Sequence, residues 1–110
     1  MSNAVFSPNR QYKLRFDSYE MRMSHWIDQP SLIRVQDDVC LFALNQDDWS
    51  AWEVRWLSDS TILLVMRKYP GLIDCTIELN VGTNEGQAVS RRASVAGSFS
   101  AVKSWVLGLT

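Results

Sequence analysis

The chain has 110 residues, a formal net charge of −1 and an aromatic set of five Trp, four Phe and three Tyr. A chain of this length forms one domain, 1–110, and buries enough surface for a core without staples. Scattered Lys and Arg and a near-zero balance exclude the basic footprint that nucleic acid or an anionic membrane would need, and the longest apolar run, 62–66, is far too short to span a bilayer.

Residues 1–10 read as a loose lead-in without an apolar stretch of signal-peptide length, so a cytoplasmic location is the expectation. Strand signals follow at 11–16 and 19–26. Asp17-Ser18 as a two-residue turn between them would pair Phe16 with Tyr19, Leu14 with Met21 and Tyr12 with Met23. The same register sets Lys13 against Arg22, so one uninterrupted strand from Gln11 to Trp26 is the competing reading. Gln29-Pro30 separates the second strand from a third at 31–36. Asp37-Asp38 as a tight turn pairs Val35 with Cys40 and Ile33 with Phe42, across to a fourth strand at 39–45. The polar segment 45–48 then leads to the fifth.

The clearest pattern lies between Trp52 and Val81. Side chains alternate faces along a strand, so a slip of one residue turns an apolar set toward water. Each turn can therefore be tested against the strands that it joins. With Pro70-Gly71 at the centre of a turn, Met66 faces Cys75, Leu64 faces Ile77 and Ile62 faces Leu79, while Arg67 meets Asp74 and Val65 meets Thr76 on the other face. With Ser58-Asp59-Ser60 as a three-residue loop, Trp56 faces Ile62, Val54 faces Leu64 and Trp52 faces Met66. Strands are thus expected at 51–57, 61–68 and 72–81, with the large apolar groups on one side.

Past Val81 the character changes. Residues 82–97 hold three of the five glycines and read as a long connection with a short strand near 87–90. Phe99, Val102, Trp105, Val106 and Leu109 then recur at helical spacing over about 98–109, with Ser98 or Ser100 as N-cap.

The fold class is therefore mainly β: an antiparallel meander of six to seven strands, curled into a sandwich or partly open barrel, with one C-terminal α-helix packed on it. Seven such strands closed by a helix carrying Trp105 resemble the outline of pleckstrin-homology-type domains, and also that of small calycin-type barrels. The resemblance implies a scaffold. In the first family, phosphoinositide-binding members carry basic residues around the first hairpin loop. Here Lys13, Arg15 and Arg22 flank that loop, but its tip is Asp17-Ser18 with Glu20 beside it, a departure from the lipid-binding pattern.

Little in the chain points to chemistry. His25, the only histidine, follows Tyr19, Met21 and Met23 in alternation; Ser24 beside it points the other way, and no base–nucleophile pair is nominated. Asp37-Asp38 and Asp47-Asp48 are adjacent carboxylates that diverge in a turn. They have neither the cross-cleft spacing of a glycosidase pair nor the alternation and Gly of a calcium loop. Cys40 and Cys75 both fall at inward positions, as two buried thiols or as a disulfide between sheets. Arg91-Arg92-Ala93-Ser94 resembles a substrate site for basophilic protein kinases. Glycine-rich phosphate loops, a G-x-S-x-G elbow and His/Cys ligand spacing are all missing from the sequence.

The chain is accordingly read as non-enzymatic, with no cofactor and no metal. It is expected to be a small protein-interaction module, of bacterial immunity type or another partner-binding kind. Asp37, Asp38, Asp47 and Asp48 would form an acidic patch if their turns project from one end, with Trp49 in its acidic loop as an exposed anchor. Trp26 is a second exposed aromatic by the same alternation. The alternative is a barrel carrying a small apolar ligand against Met21, Met23, Met66 and the Trp-rich inner face. A homodimer through an edge strand, 11–16 or 72–81, is a further expectation.

Overall fold

The computed structural model describes residues 4–21, 25–69 and 73–109. Its elements are β1 (Ala4–Phe6), β2 (Tyr12–Met21), β3 (His25–Arg34), β4 (Val39–Ala43), β5 (Trp49–Trp56), β6 (Thr61–Lys68), β7 (Ile73–Asn80), β8 (Glu85–Val89), β9 (Ser94–Ser98) and α1 (Phe99–Leu107). They form two antiparallel sheets in meander order, β1-β2-β3-β4 and β5-β6-β7-β8-β9. The sheets face each other as a sandwich, not a closed barrel. The helix α1 lies against β8, β9 and β4 and so bridges the two sheets. Among the described residues no helix is long and apolar enough to cross a membrane.

The apolar alternation from β6 to β7 has the expected register. Met66 pairs with Cys75, Leu64 with Ile77 and Ile62 with Leu79, and all six are buried at 3% exposure or less. Leu14, Leu32, Phe42 and Leu44 meet them from the other sheet, and Phe99, Val102 and Val106 close the side. Phe42 and Phe99 touch edge to face at 6.2 Å between centroids. Ser98 caps the helix, its Oγ accepting from the Ala101 N–H at 3.1 Å. The expected Pro70-Gly71 turn lies outside the described residues, as do Arg22, Met23 and Ser24.

Four expectations are corrected. Asp17-Ser18 is not a turn: these residues sit inside β2, opposite Gln29 and Asp28. Nor is 11–26 one uninterrupted strand: β2 runs on to Met21, but Trp26 lies in the antiparallel β3, opposite Glu20. Pro30 is not a breaker but lies within β3, opposite Phe16. It is tolerated because its nitrogen points toward β4 just where that strand ends. The Pro30 carbonyl on the same side takes the Leu44 N–H at 3.1 Å, beyond the last β3–β4 pair. The lead-in contributes β1, which pairs with β2 through Val5 opposite Leu14. Finally, 82–97 is not a loose connection but carries the hairpin β8–β9. Its residues are too small and polar to signal strands, yet Ala88 packs at 0% exposure opposite Ile77.

Gly86 explains one of these small residues. It faces Leu79 in the β7–β8 ladder, and a Cβ there would come within 2.7 Å of Leu79 Cδ2 and 2.8 Å of the Glu78 carbonyl oxygen. The carbonyl belongs to the backbone of a central strand and cannot yield. Gly86→Ala is therefore expected to destabilise the protein by about 1–3 kcal/mol through overpacking, read as a lower urea midpoint; an unchanged midpoint would mean that β8 does not approach β7 this closely.

Candidate interaction surface

The strand β5 decides which tryptophans reach the surface. Ala51 pairs with Met66 and Glu53 with Val65, so Trp52 is an extra residue with no partner across the ladder. Such a bulge reverses the facing of everything on one side of it. Val54 and Trp56 keep the expected inward facing, opposite Leu64 and Ile62, but before the bulge it is Ala51 and Trp49 that turn inward. Trp49 is buried at 0% exposure and Trp52 is 64% exposed. The expected roles of these two residues are thus exchanged: Trp49 is core and not an exposed anchor. Its Nε1 has no hydrogen-bond partner.

The acidic turns do not combine into one patch. The turn after β3 and the turn after β4 lie at opposite ends of β4, five residues or about 17 Å apart. Asp37 accepts two bonds from the Arg34 guanidinium, at 2.9 and 2.8 Å, which holds its carboxyl below the usual range, first through that hydrogen bond. This fork and the left-handed Asp38 (φ 57°) lengthen the turn to four residues, so Arg34 pairs with Val39 and Cys40 with Ile33. Cys40 is exposed rather than inward because the register shift after it, with Phe42 opposite Leu32, leaves Leu41 as an extra residue and turns Cys40 and Phe42 to opposite faces; Cys75 is buried, and both thiols are free. Burial pushes the Cys75 thiol up to about 12.

At the other turn, Asp47 and Asp48 take successive left-handed conformations, φ 60° and 57°, which Asp tolerates better than most side chains. Asp48 acts as a fastener. Its carboxylate accepts from the Tyr19 hydroxyl at 2.5 Å, and its carbonyl accepts from the Tyr69 N–H at 3.0 Å. Beside it the Ser50 Oγ accepts from the Asp28 N–H at 3.0 Å, in line with Pro30 where β4 has run out. Asp48 and Trp49 therefore belong to the seam between the two sheets.

A different surface brings aromatics and carboxylates together. One face of the β2–β3 hairpin begins with buried Leu14 and Leu32, continues through Phe16 and Pro30 to Ser18 and Asp28, and ends in Glu20 and Trp26. At its far end Trp26 is 60% exposed. Between this face and the bulge lies an open groove of about 370 Å³, lined by Val5, Phe16, Asp28, Ala51, Trp52 and Val54 with Glu53 at its margin. The Arg67 guanidinium stands over the Trp52 ring at 4.1 Å. Arg67 and Asp74 are register partners as expected, but the cation nearest Asp74 is Arg91, at 3.9 Å. Asp28 also accepts from the Ser18 Oγ at 2.5 Å, which fixes its carboxylate at the groove. The signal in the sequence that could have found this surface is the i, i+3 spacing of Trp49 and Trp52, which no single alternation can bury together.

A second groove, about 460 Å³, is lined by Ile73, Asp74, Ser90, Arg91, Arg92, Ala93 and Leu109. There Arg91 and Arg92 form the β8–β9 turn, and Ser94 of the kinase-like motif opens β9. Met66 of the expected carrier wall packs within the core cluster. Among the described residues no three or more His, Cys, Asp or Glu side chains converge as a metal site would need. Comparison with family models, with curated proteins and with solved structures finds no match for this chain.

The Tyr19–Asp48 bond generates a pH signature. Burial, then the hydrogen bond to Asp48, then its charge push the Tyr19 phenol from 10.0 up to about 12. The folded state holds this proton more tightly than the unfolded chain, so the contribution is complete below pH 10 and is lost as pH rises toward 12. Tyr19→Phe should cost about 1 kcal/mol near neutral pH. In paired urea titrations the gap between wild type and variant should stay constant below pH 10 and narrow above it; a constant gap through pH 12 would contradict the bond.

Proposed function

We propose that the protein is a small non-enzymatic interaction module that captures a basic protein partner on the surface between Trp26 and Trp52. The observation that carries this reading is the outward Trp52, a large aromatic projected by a bulge beside an apolar groove. Exposed aromatics that flank a pocket are typical binding anchors, because they bury much area for little lost side-chain freedom. Val5 and Val54 extend the apolar area within the groove, and the exposed Trp26 lies beyond Asp28 on the same face of β3. Glu20, Asp28 and Glu53 supply negative charge around it, and the Trp52 ring already carries one guanidinium, from Arg67. An Arg or Lys of a partner would lay its stem along Val5, Ala51 and Val54 and place its cation by Asp28 and Glu53. An immunity-type role, in which the module covers a basic surface of a toxin, is one form of this activity.

The test is capture from native lysate of the source cells with the wild type and a set of variants. Wild type should retain one stoichiometric partner. Trp52→Ala should weaken its retention about thirtyfold, as expected for a hot-spot residue, and Asp28→Asn with Glu53→Gln should weaken it and flatten its salt dependence. Asp37→Asn with Asp38→Asn, at the distant turn, should leave it unchanged. Capture indifferent to Trp52→Ala, or lost only at the Asp37 turn, would overturn the reading.

A further inference from the structure

We infer that the open edge of β9 is a self-pairing surface, which joins the β9 of a second copy of this chain about a two-fold axis at Ala96. The expected dimer edges, 11–16 and 72–81, are interior, since β2 and β7 are flanked on both sides. The four true edges are β1, β4, β5 and β9, and three of them carry protection of the kinds that block edge pairing. The strand β1 has three residues, and its Val5 carbonyl is occupied by Trp56 Nε1 at 3.0 Å. The strand β5 is bulged and carries Glu53 and Arg55. The β3–β4 ladder has a register shift, so β4 does not present an even edge. The strand β9, Ser-Val-Ala-Gly-Ser, has no charge, no proline and an unbroken register with β8.

The phase of its hydrogen bonds makes β9 self-complementary. The Ser90 N–H donates to the Ala93 carbonyl at 2.9 Å, which sets that pair as hydrogen-bonded. Alternation then gives the bonds with β8 to Val95 and Gly97, and points the backbone groups of Ser94, Ala96 and Ser98 away from it. Counting from the other side agrees. The Val81 N–H donates to the Ser60 carbonyl at 2.8 Å, which assigns Thr76, Glu78 and Asn80 to bonds with β8 and leaves the same three β9 residues facing outward.

About an axis at Ala96, Ser94 faces the partner's Ser98 and Ala96 faces the partner's Ala96. The Ala96 pair exchanges both bonds, and each Ser98 N–H meets the partner's Ser94 carbonyl; the Ser98 carbonyl is already the first acceptor of α1, so the Ser94–Ser98 pairs supply one bond each and not two. The facing side chains are small and exposed. The register also holds Arg92 and the partner's Arg92 about 27 Å apart, beyond the Debye length. A five-residue ladder buries less than the roughly 1,000 Å² of a stable interface, so the dimer forms near millimolar and not micromolar concentration.

The experiment is sedimentation equilibrium in a Cys40→Ser background, from about 10 μM to about 1 mM, with the weight-average mass expected to climb from 12.6 kDa toward twice that value. Ala96→Pro removes an N–H that β8 does not use, so the fold should persist while dimerisation weakens more than tenfold. Ala96→Cys reads the same contact without proline. Hydrogen-bonded antiparallel pairs hold their Cα atoms near 5.5 Å, within disulfide reach, so mild oxidation should link two copies, whereas Arg55→Cys on the bulged edge should not. A protein monomeric at 1 mM, an Ala96→Pro dimer of unchanged strength, or an Ala96→Cys that fails to link would each overturn the inference.

Discussion

The extra residue in β5 is the constraint from which the rest of the molecule follows. Were β5 regular, Trp52 would occupy the position that Ala51 holds opposite Met66, and the bulk of Trp49 would stand in water at the strand's start. Inserting one unpaired residue costs a ladder bond and local twist. It brings Trp49, in place of Trp52, into the core cluster with Met66 and Leu44. The residue left over is itself a tryptophan, and Arg67 covers one of its faces. The same step that completes the interior thus creates the largest exposed aromatic of the sheet.

The bulge also sits beside the place where the two sheets meet. The strand β3 carries β4 along its later half only. Where β4 stops, Pro30 offers no N–H to be left unpaired, and the Asp28 N–H is taken by Ser50. Asp48 ties Tyr19 on one sheet and Tyr69 beyond the end of β6 on the other. These short polar links close a seam that apolar contacts alone would leave sliding. The groove beside Trp52 opens next to this seam, where Phe16 and Asp28 of the β2–β3 hairpin come up to Ala51 and Val54 of β5.

The sequence was most readable where both faces of a hairpin constrain the register. In the β6–β7 pair a one-residue slip would expose Ile62, Leu64, Met66, Ile77 and Leu79 together, and no compensation exists for that. It was least readable where a local device changes the count. Trp52 could not be seen as a bulge because Trp52, Val54 and Trp56 alternate perfectly on their own, and only the depth of Trp49 reveals the conflict. The inward expectation for Cys40 fails at the register shift of the β3–β4 ladder, where Leu41 is an extra residue between Cys40 and Phe42. Of the β8–β9 hairpin only the short strand expected near 87–90 is legible, and it overlaps β8; β9 gives no strand signal, because these strands are built mostly of Gly, Ala, Ser and Gln, whose burial depends on Leu79 and α1 and not on their own hydrophobicity. Asp37, Asp38, Asp47 and Asp48 are turn residues, and the side chains of Asp37 and Asp48 serve the fold.

The exchange of facing between Trp49 and Trp52 is open to direct observation through their indole N–H groups. With the five tryptophan side chains assigned by NMR, hydrogen exchange should show the Trp49 indole protected to nearly the free energy of global unfolding, as a 0%-exposed core group must be. The Trp52 indole should exchange at close to the rate of a free side chain. Fast exchange at Trp49 together with protection at Trp52 would mean that β5 runs without its bulge, and the surface assigned to partner binding would not exist.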